Sequence, residues 1–147
     1  MHLLSEFALI AHISTSNPPD IASLIQLDSV TTAERAQKIS QWVNNKHCYL
    51  IEQQNQIIAY GVLHYHFFEC AFIEMIMVNQ AFRQQGAGLS LLQQLKQTCL
   101  TQKIFTSTNQ SNTPMQRLLD KAQFKPSGFI DNLDEGDPEL IYFCQLA

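Results

Sequence analysis

The sequence predicts a mixed α/β domain: a mostly antiparallel central sheet flanked by helices, with its elements in the order β-α-α-β-β-β-α-β-α-β-β. Two observations carry that expectation. Apolar runs of strand length recur through the chain, bounded by polar or glycine-bearing turns. Stretches with apolar residues at helical spacing follow the run that ends at Val78 and the run that ends at Ser107, and helices so placed cover a mixed sheet.

Taken in order, Phe7 to Ile13 reads as a first strand, and Pro18-Pro19-Asp20 opens a short helix with Ile21, Leu24 and Ile25 on one face. Thr31-x-x-Glu34 has the form of a capping box for a second helix that buries Ile39, Trp42 and Val43. Tyr49 to Glu52 and Ile57 to Tyr65 are strands joined by the polar turn Gln53 to Gln56, and Ala71 to Val78 completes an antiparallel meander. Leu91, Leu92, Leu95 and Cys99 mark the next helix. A short strand covers Lys103 to Ser107. Thr113-Pro114-Met115-Gln116 starts a helix continued by Leu118, Leu119 and Ala122, with proline where its missing N–H costs nothing. Phe124 to Ile130 and Leu140 to Gln145 are the last strands, separated by the acidic turn Asp131 to Glu139.

Composition bounds the function. The chain has 147 residues, of ordinary single-domain size, with 46% hydrophobic content and no linker, repeat or low-complexity block, so one domain over 1–147 is expected. No apolar run approaches the ~20 residues of a membrane helix, and Met1 to Glu6 lacks the basic start and apolar core of a signal peptide. A net charge of -4 argues against a nucleic-acid partner, which needs a basic face. Cys48, Cys70, Cys99 and Cys144 form no Cys-x-x-Cys, which favours free thiols in a reduced cytoplasmic protein without metal.

The most informative stretch is Arg83-Gln84-Gln85-Gly86-Ala87-Gly88, between the strand ending at Val78 and the helical pattern from Leu89. Strand, short glycine turn and helix together hold phosphate. Glycine lets backbone approach the ligand, the leading amides have no intrahelical partner, and the helix dipole favours an anion there. Arg83 adds positive charge at the mouth of the turn, and Lys96 lies near the same place in sequence. A P-loop needs Gly-Lys-Ser/Thr, but Gly88 is followed by Leu89-Ser90; a dinucleotide fingerprint needs a third glycine where Leu91 stands.

The segment resembles motif A of the GCN5-related N-acetyltransferases (GNAT), Arg/Gln-x-x-Gly-x-Gly/Ala, and the whole of Met75 to Gly88 is similar to that family: a strand ending in Val, four spacer residues with an aromatic last, then the turn. The element order is also the family's. The resemblance is best from Ile73 to Phe129 and poor before Ser40. It implies acetyl-CoA as acyl donor, with its pyrophosphate on Arg83, Gln84, Gln85, Gly86, Ala87 and Gly88. The pantetheine arm would run beside Ile76, Met77 and Val78, between strand 71–78 and strand 103–107. A backbone N–H near Val78 would then stabilise the oxyanion of the tetrahedral intermediate. Asn112 matches the family's asparagine on the pantetheine arm, and reads equally as a helix cap. Two positions depart from the family pattern. Its tyrosine, which protonates the departing thiolate, is Leu119 here, and the glycine before Phe124 is Gln123. A thiol of pKa ~8.5 leaves tolerably without an acid; Tyr142 is a substitute candidate for one, and is also ordinary strand packing.

Acetylating an amine requires a neutral nucleophile, so a base must take its proton. Glu74, within the apolar run Phe72 to Ile76, is the candidate, and Glu69 the second choice. A structural acid on an exposed sheet face fits Glu74 equally well. Alternation puts Glu74, Ile76 and Val78 on one face. His64 and His66 share a face and lack an apparent third metal ligand, so a cleft or surface role is favoured. The acidic turn Asp131 to Glu139 reads as a solvated hairpin, and borders the acceptor side in the family, where it would attract a cationic amine. The expected function is acyl-CoA-dependent N-acetyl transfer to a primary amine in a ternary complex. Alternatives are a non-catalytic acyl-CoA-binding or regulatory domain, prompted by Leu119, and a nucleotide-binding protein of other chemistry. Monomer and homodimer both stay open.

Overall fold

The computed structural model describes residues 8–10 and 18–146. Seven strands and four helices follow the predicted order: β1 (Ala8–Ile10), α1 (Pro18–Leu27), α2 (Ala33–Asn44), β2 (Cys48–Gln53), β3 (Gln56–Phe67), β4 (Cys70–Val78), α3 (Ala87–Thr98), β5 (Lys103–Asn109), α4 (Thr113–Lys121), β6 (Lys125–Ile130) and β7 (Glu139–Gln145). Strand order in the sheet is β1-β2-β3-β4-β5-β7-β6. β4 and β5 pair in parallel; β1–β2, β2–β3, β5–β7 and β6–β7 are antiparallel. The ends of the predicted first strand, Phe7 and Ala11 to Ile13, lie outside the described residues.

The described residues divide into two compact units, one of those up to 63 together with 75–95, the other of 64–74 and 96–146. In the first, α1 and α2 bury Leu24, Leu27, Ile39, Trp42 and Val43 against Cys48 and Leu50 of β2 and Tyr60 and Val62 of β3. Met75 and Met77 of β4 pack on this cluster. Asp28 ends α1 inside it. Its carboxylate accepts from Arg35 Nη1 at 2.9 and 3.1 Å, from the Tyr60 hydroxyl at 2.5 Å and from the Val30 amide at 2.8 Å. A buried carboxylate is tolerable only when so fully partnered.

Three local expectations are corrected. The α2 cap is Thr32, not Thr31: its hydroxyl accepts from the Arg35 amide, and its carbonyl from the Ala36 amide. Glu34 therefore sits one place too early to close a capping box. Ile25 of α1 is exposed, because the buried stripe runs through Leu24 and Leu27. Cys99 lies just beyond α3, which ends at Thr98.

The second unit is built on β5–β7, paired from Lys103↔Gln145 to Asn109↔Glu139. Ile104, Thr106 and Cys144 are buried with Leu119 and Ala122 of the α4 segment and with Phe124. The β4–β5 ladder joins Ala71, Phe72 and Ile73 to Ile104, Phe105 and Thr106, and the Thr106 hydroxyl donates to the Ile73 carbonyl at 2.8 Å. At the sheet edge β6 breaks register between Pro126, which has no N–H to donate, and Phe129.

Candidate functional site

In the first unit β4 runs into the motif turn. Asn79 caps a single 3-10 turn over Gln80–Phe82, its side chain accepting from the Ala81 amide at 3.0 Å. Gln84 has φ +63° and Gly86 φ +90°, so the chain reverses through two left-handed residues before the helix. Glycine adopts this at little cost. The first bond of α3 runs from the Ser90 amide to the Gly86 carbonyl at 2.9 Å. Ala87, Gly88 and Leu89 thus hold the amides that precede the helical ladder, and a glycine cap has no side chain to satisfy them. Gln84, Gln85 and Gly86 are exposed, and buried Ala87 anchors the turn. The exposed amides at this helix start suit an anion.

Arg83 is exposed but folded back: Nε donates to the Val78 carbonyl at 3.0 Å, with Nη2 3.8 Å from Met77 Sδ. Ile76, Met77, Val78 and the Arg83–Gly88 turn are therefore brought together in one unit. Lys96 is not a phosphate ligand in waiting. Its ammonium donates to the Ala122 carbonyl at 2.7 Å and lies 5.7 Å from the centre of the Phe124 ring, closing the end of α4.

The second unit holds the candidate base. Glu74 Oε1 lies 3.5 Å from His64 Nε2, with Glu74 31% exposed. The His66 amide donates to His64 Nδ1 at 3.1 Å, so in a neutral ring the proton sits on Nε2, facing the carboxylate. Among the described residues no group of three or more His, Cys, Asp or Glu is placed to hold a metal ion.

A family model for the acetyltransferase (GNAT) family matches residues 14–124. The chain belongs to the GNAT acetyltransferase family. A GNAT-family acetyltransferase of Bacillus cereus is 32% identical, with a TM-score of 0.84 over 95% of this chain and 96% of that one. Two more distant structures share the GNAT fold. One, from Elizabethkingia anophelis with acetyl-CoA bound, has 21% identity and a TM-score of 0.72 over 95% of this chain and 98% of that one. The other, the ribosomal-protein-S18-alanine N-acetyltransferase of Escherichia coli, has 12% identity and a TM-score of 0.76 over 96% and 94%. No curated protein sequence matches the chain.

In this GNAT chain Asn112 is the α4 cap, its side-chain oxygen accepting from the Met115 amide at 3.1 Å. Leu119 is fully buried. Gln123 has φ +68° and follows α4, with the Gln123 amide bonded to the Asp120 carbonyl and the Phe124 amide to that of Leu119. Glycine is the residue favoured at such a helix end, so the departure at Gln123 falls where the backbone is left-handed. Tyr142 is buried in β7, opposite Thr106 and Pro126. The acidic turn is not merely solvated. Asp134 accepts from Asn109, Asp137 from the Ser111 amide and hydroxyl, and Glu139 from the Ser107 hydroxyl at 2.6 Å. These bonds tie the turn to the loop that carries Asn112.

The His64 partner of Glu74 escaped sequence reasoning, since two histidines at strand spacing do not reveal which carboxylate faces them. The GNAT domain has one more such arrangement. Ring contacts run through His66, His64, Phe72, Phe67, Phe105 and Phe143 without a break. No helix among the described residues is long and apolar enough to cross a membrane.

Proposed function

We propose that this GNAT domain, read as one domain over 1–147, is an acyl-CoA-dependent N-acetyltransferase that moves acetyl from acetyl-CoA to a primary amine. The observation that carries the reading is the turn from β4 into α3, with Gly86 at φ +90° and the amides of Ala87, Gly88 and Leu89 ahead of the first helical bond. The acetyl-CoA-bound GNAT fold of the Elizabethkingia structure supports the donor.

In the proposed reaction the pyrophosphate rests on Gln84 to Gly88, and the pantetheine arm lies along Ile76 to Val78; Asn112 holds the family position that contacts that arm. The amine nitrogen attacks the thioester carbonyl, a backbone N–H near Val78 stabilises the oxyanion, and the carbon–sulfur bond breaks. CoA leaves as thiolate, the amide product keeps the acetyl group, and the amine's proton passes to Glu74. Tyr142 is the weaker candidate for a proton donor to sulfur. The free cysteines suit a reduced cytoplasmic setting.

Thermal shift with CoA, ATP and NAD, followed by thiol release from acetyl-CoA over a panel of amines, tests the reading. Stabilisation greatest with CoA, amine-dependent thiol release, and a loss of about a hundredfold in kcat for Glu74→Gln are expected. Buried Leu119, apolar where the family has its tyrosine, favours a second reading as a non-catalytic acyl-CoA-binding domain. CoA binding without thiol release for any amine establishes that reading instead.

A further inference from the structure

In the second unit alternate residues of the sheet differ in cover. Ala71, Ile73, Ile104 and Thr106 are buried, whereas Phe72 and Phe105 between them, and Phe143 opposite Phe105, are only half-buried. Their rings are in mutual contact. Phe67 stacks on Phe72 at 4.6 Å between centroids, Phe105 lies 5.4 Å from Phe67, and Phe143 stacks on Phe105 at 5.9 Å. His64 continues the row, 5.6 Å from Phe72. Rings serving only as core would be covered as Ile104 is; a continuous half-exposed row leaves apolar surface in water that a ligand's apolar surface can cover.

The row has a charged border. Two residues beyond Phe72 along β4 is Glu74, against His64. Two residues beyond Phe105 along β5 is Ser107, whose hydroxyl holds Glu139, on the Phe143 face of β7 by alternation. The parallel pairing of β4 and β5 means both steps run in the same direction, toward the carboxyl ends of those strands. One sheet face thus carries rings first and carboxylates next. That sequence of surfaces matches a molecule with a cationic head and an apolar, preferably aromatic, body.

We infer that this face is the acceptor subsite and that the acceptor is a primary amine carried on an aromatic or bulky apolar body. The inference rests on the N-acetyltransferase reading. The ammonium is drawn in by Glu74 and Glu139 and loses one proton to solvent to become the neutral nucleophile, and the body stacks on Phe72 and Phe105. A small hydrophilic amine meets the same carboxylates and gains nothing from the rings.

The test compares kcat/KM for 2-phenylethylamine with that for ethanolamine, using the full chain and acetyl-CoA. The ratio is insensitive to the fraction of folded enzyme, so Phe72→Leu and Phe105→Leu can be read even if they fold less well. A ratio well above one in the native protein, falling about threefold to tenfold in each variant, is expected. A native preference for ethanolamine, or a ratio the variants leave unchanged, overturns the inference, as does an altered oligomeric state in the variants without a change in ratio, which makes the face a self-association surface. If no amine releases thiol, the enzyme reading fails separately. Titration of 2-phenylethylamine followed by amide NMR then decides. Shifts centred on β4 and β5 and lost in Phe105→Leu uphold the subsite, and their absence removes it.

Discussion

Arg83 Nε donates to the Val78 carbonyl at 3.0 Å, so the side chain that opens the motif turn is tied to the last residue of the strand before it. The bond holds the guanidinium at the strand end. Arg83→Lys keeps a charge but loses the planar fork that reaches both Val78 and Met77. We expect KM for acetyl-CoA to rise about tenfold with a smaller change in kcat, measured by steady-state thiol release.

The two glycines of the turn have separable jobs. Gly86 has φ +90° and no atom within 4 Å of where a Cβ would stand, so Gly86→Ala is strained by conformation rather than by crowding. It should lower stability by about 1 kcal/mol. Gly88 lies within α3, and Gly88→Ala should leave stability unchanged or raise it by up to about 1 kcal/mol. In the proposed complex the same substitution puts a methyl group where the backbone approaches phosphate, so the thermal shift produced by CoA should shrink. An alanine at 88 that binds CoA normally removes the ligand explanation for that glycine.

Gln123 occupies the left-handed position after α4 that the family fills with glycine. Gln123→Gly should stabilise the protein by about 1 kcal/mol, less the extra entropy of the unfolded glycine, in urea titrations. Lys96→Met retains the contact with the Phe124 ring but loses the donor to the Ala122 carbonyl, and should destabilise by about 1 kcal/mol.

Asp28 links α1, α2 and β3 through Arg35 and Tyr60. Asp28→Asn leaves Arg35 facing a neutral group and should cost about 3 kcal/mol, while Tyr60→Phe should cost about 2 kcal/mol. A double-mutant cycle on this pair should show clear non-additivity, because both substitutions break the same bond.

Alkaline pH should loosen the first unit. Burial pushes the Cys48 thiol from 9.0 up to about 12, and burial, followed by the hydrogen bond to Asp28, pushes the Tyr60 phenol up as well. Both groups are neutral when protonated, and their folded pKa values lie above the unfolded ones. The stability they contribute is therefore fully present below the unfolded pKa values. As pH climbs above about 9 the unfolded chain releases a proton that the folded chain retains, so stability falls by up to about 1.4 kcal/mol per pH unit for each group. Urea midpoints from about pH 8 to about pH 11 should fall in the native protein and fall less steeply in Cys48→Ala.

Much of the molecule was legible in one dimension. Element order follows from local periodicity and turn chemistry: helical spacing in α2 and α3, glycine and an anchored turn after β4, proline at the start of α4. The motif turn was legible for the same reason, since Asn79, Arg83 and Gly86 shape Val78 through Gly88 from within one continuous segment, which the Ile58 carbonyl then anchors at the Asn79 amide. Caps were less so. Thr31 and Thr32 are both plausible caps, and only the helix they join decides which carbonyl receives the Ala36 amide.

The side-chain meetings of the second unit belong to the tertiary structure. Glu74 and His64 lie on different strands, Lys96 meets a carbonyl 26 residues away, and Phe72, Phe105 and Phe143 become neighbours through strand registers. A slip of one residue in any register would turn every side chain of that strand to the other face. Local sequence specifies which segments form strands and helices; the packing of distant segments sets the registers, and with them which acids, rings and cations meet.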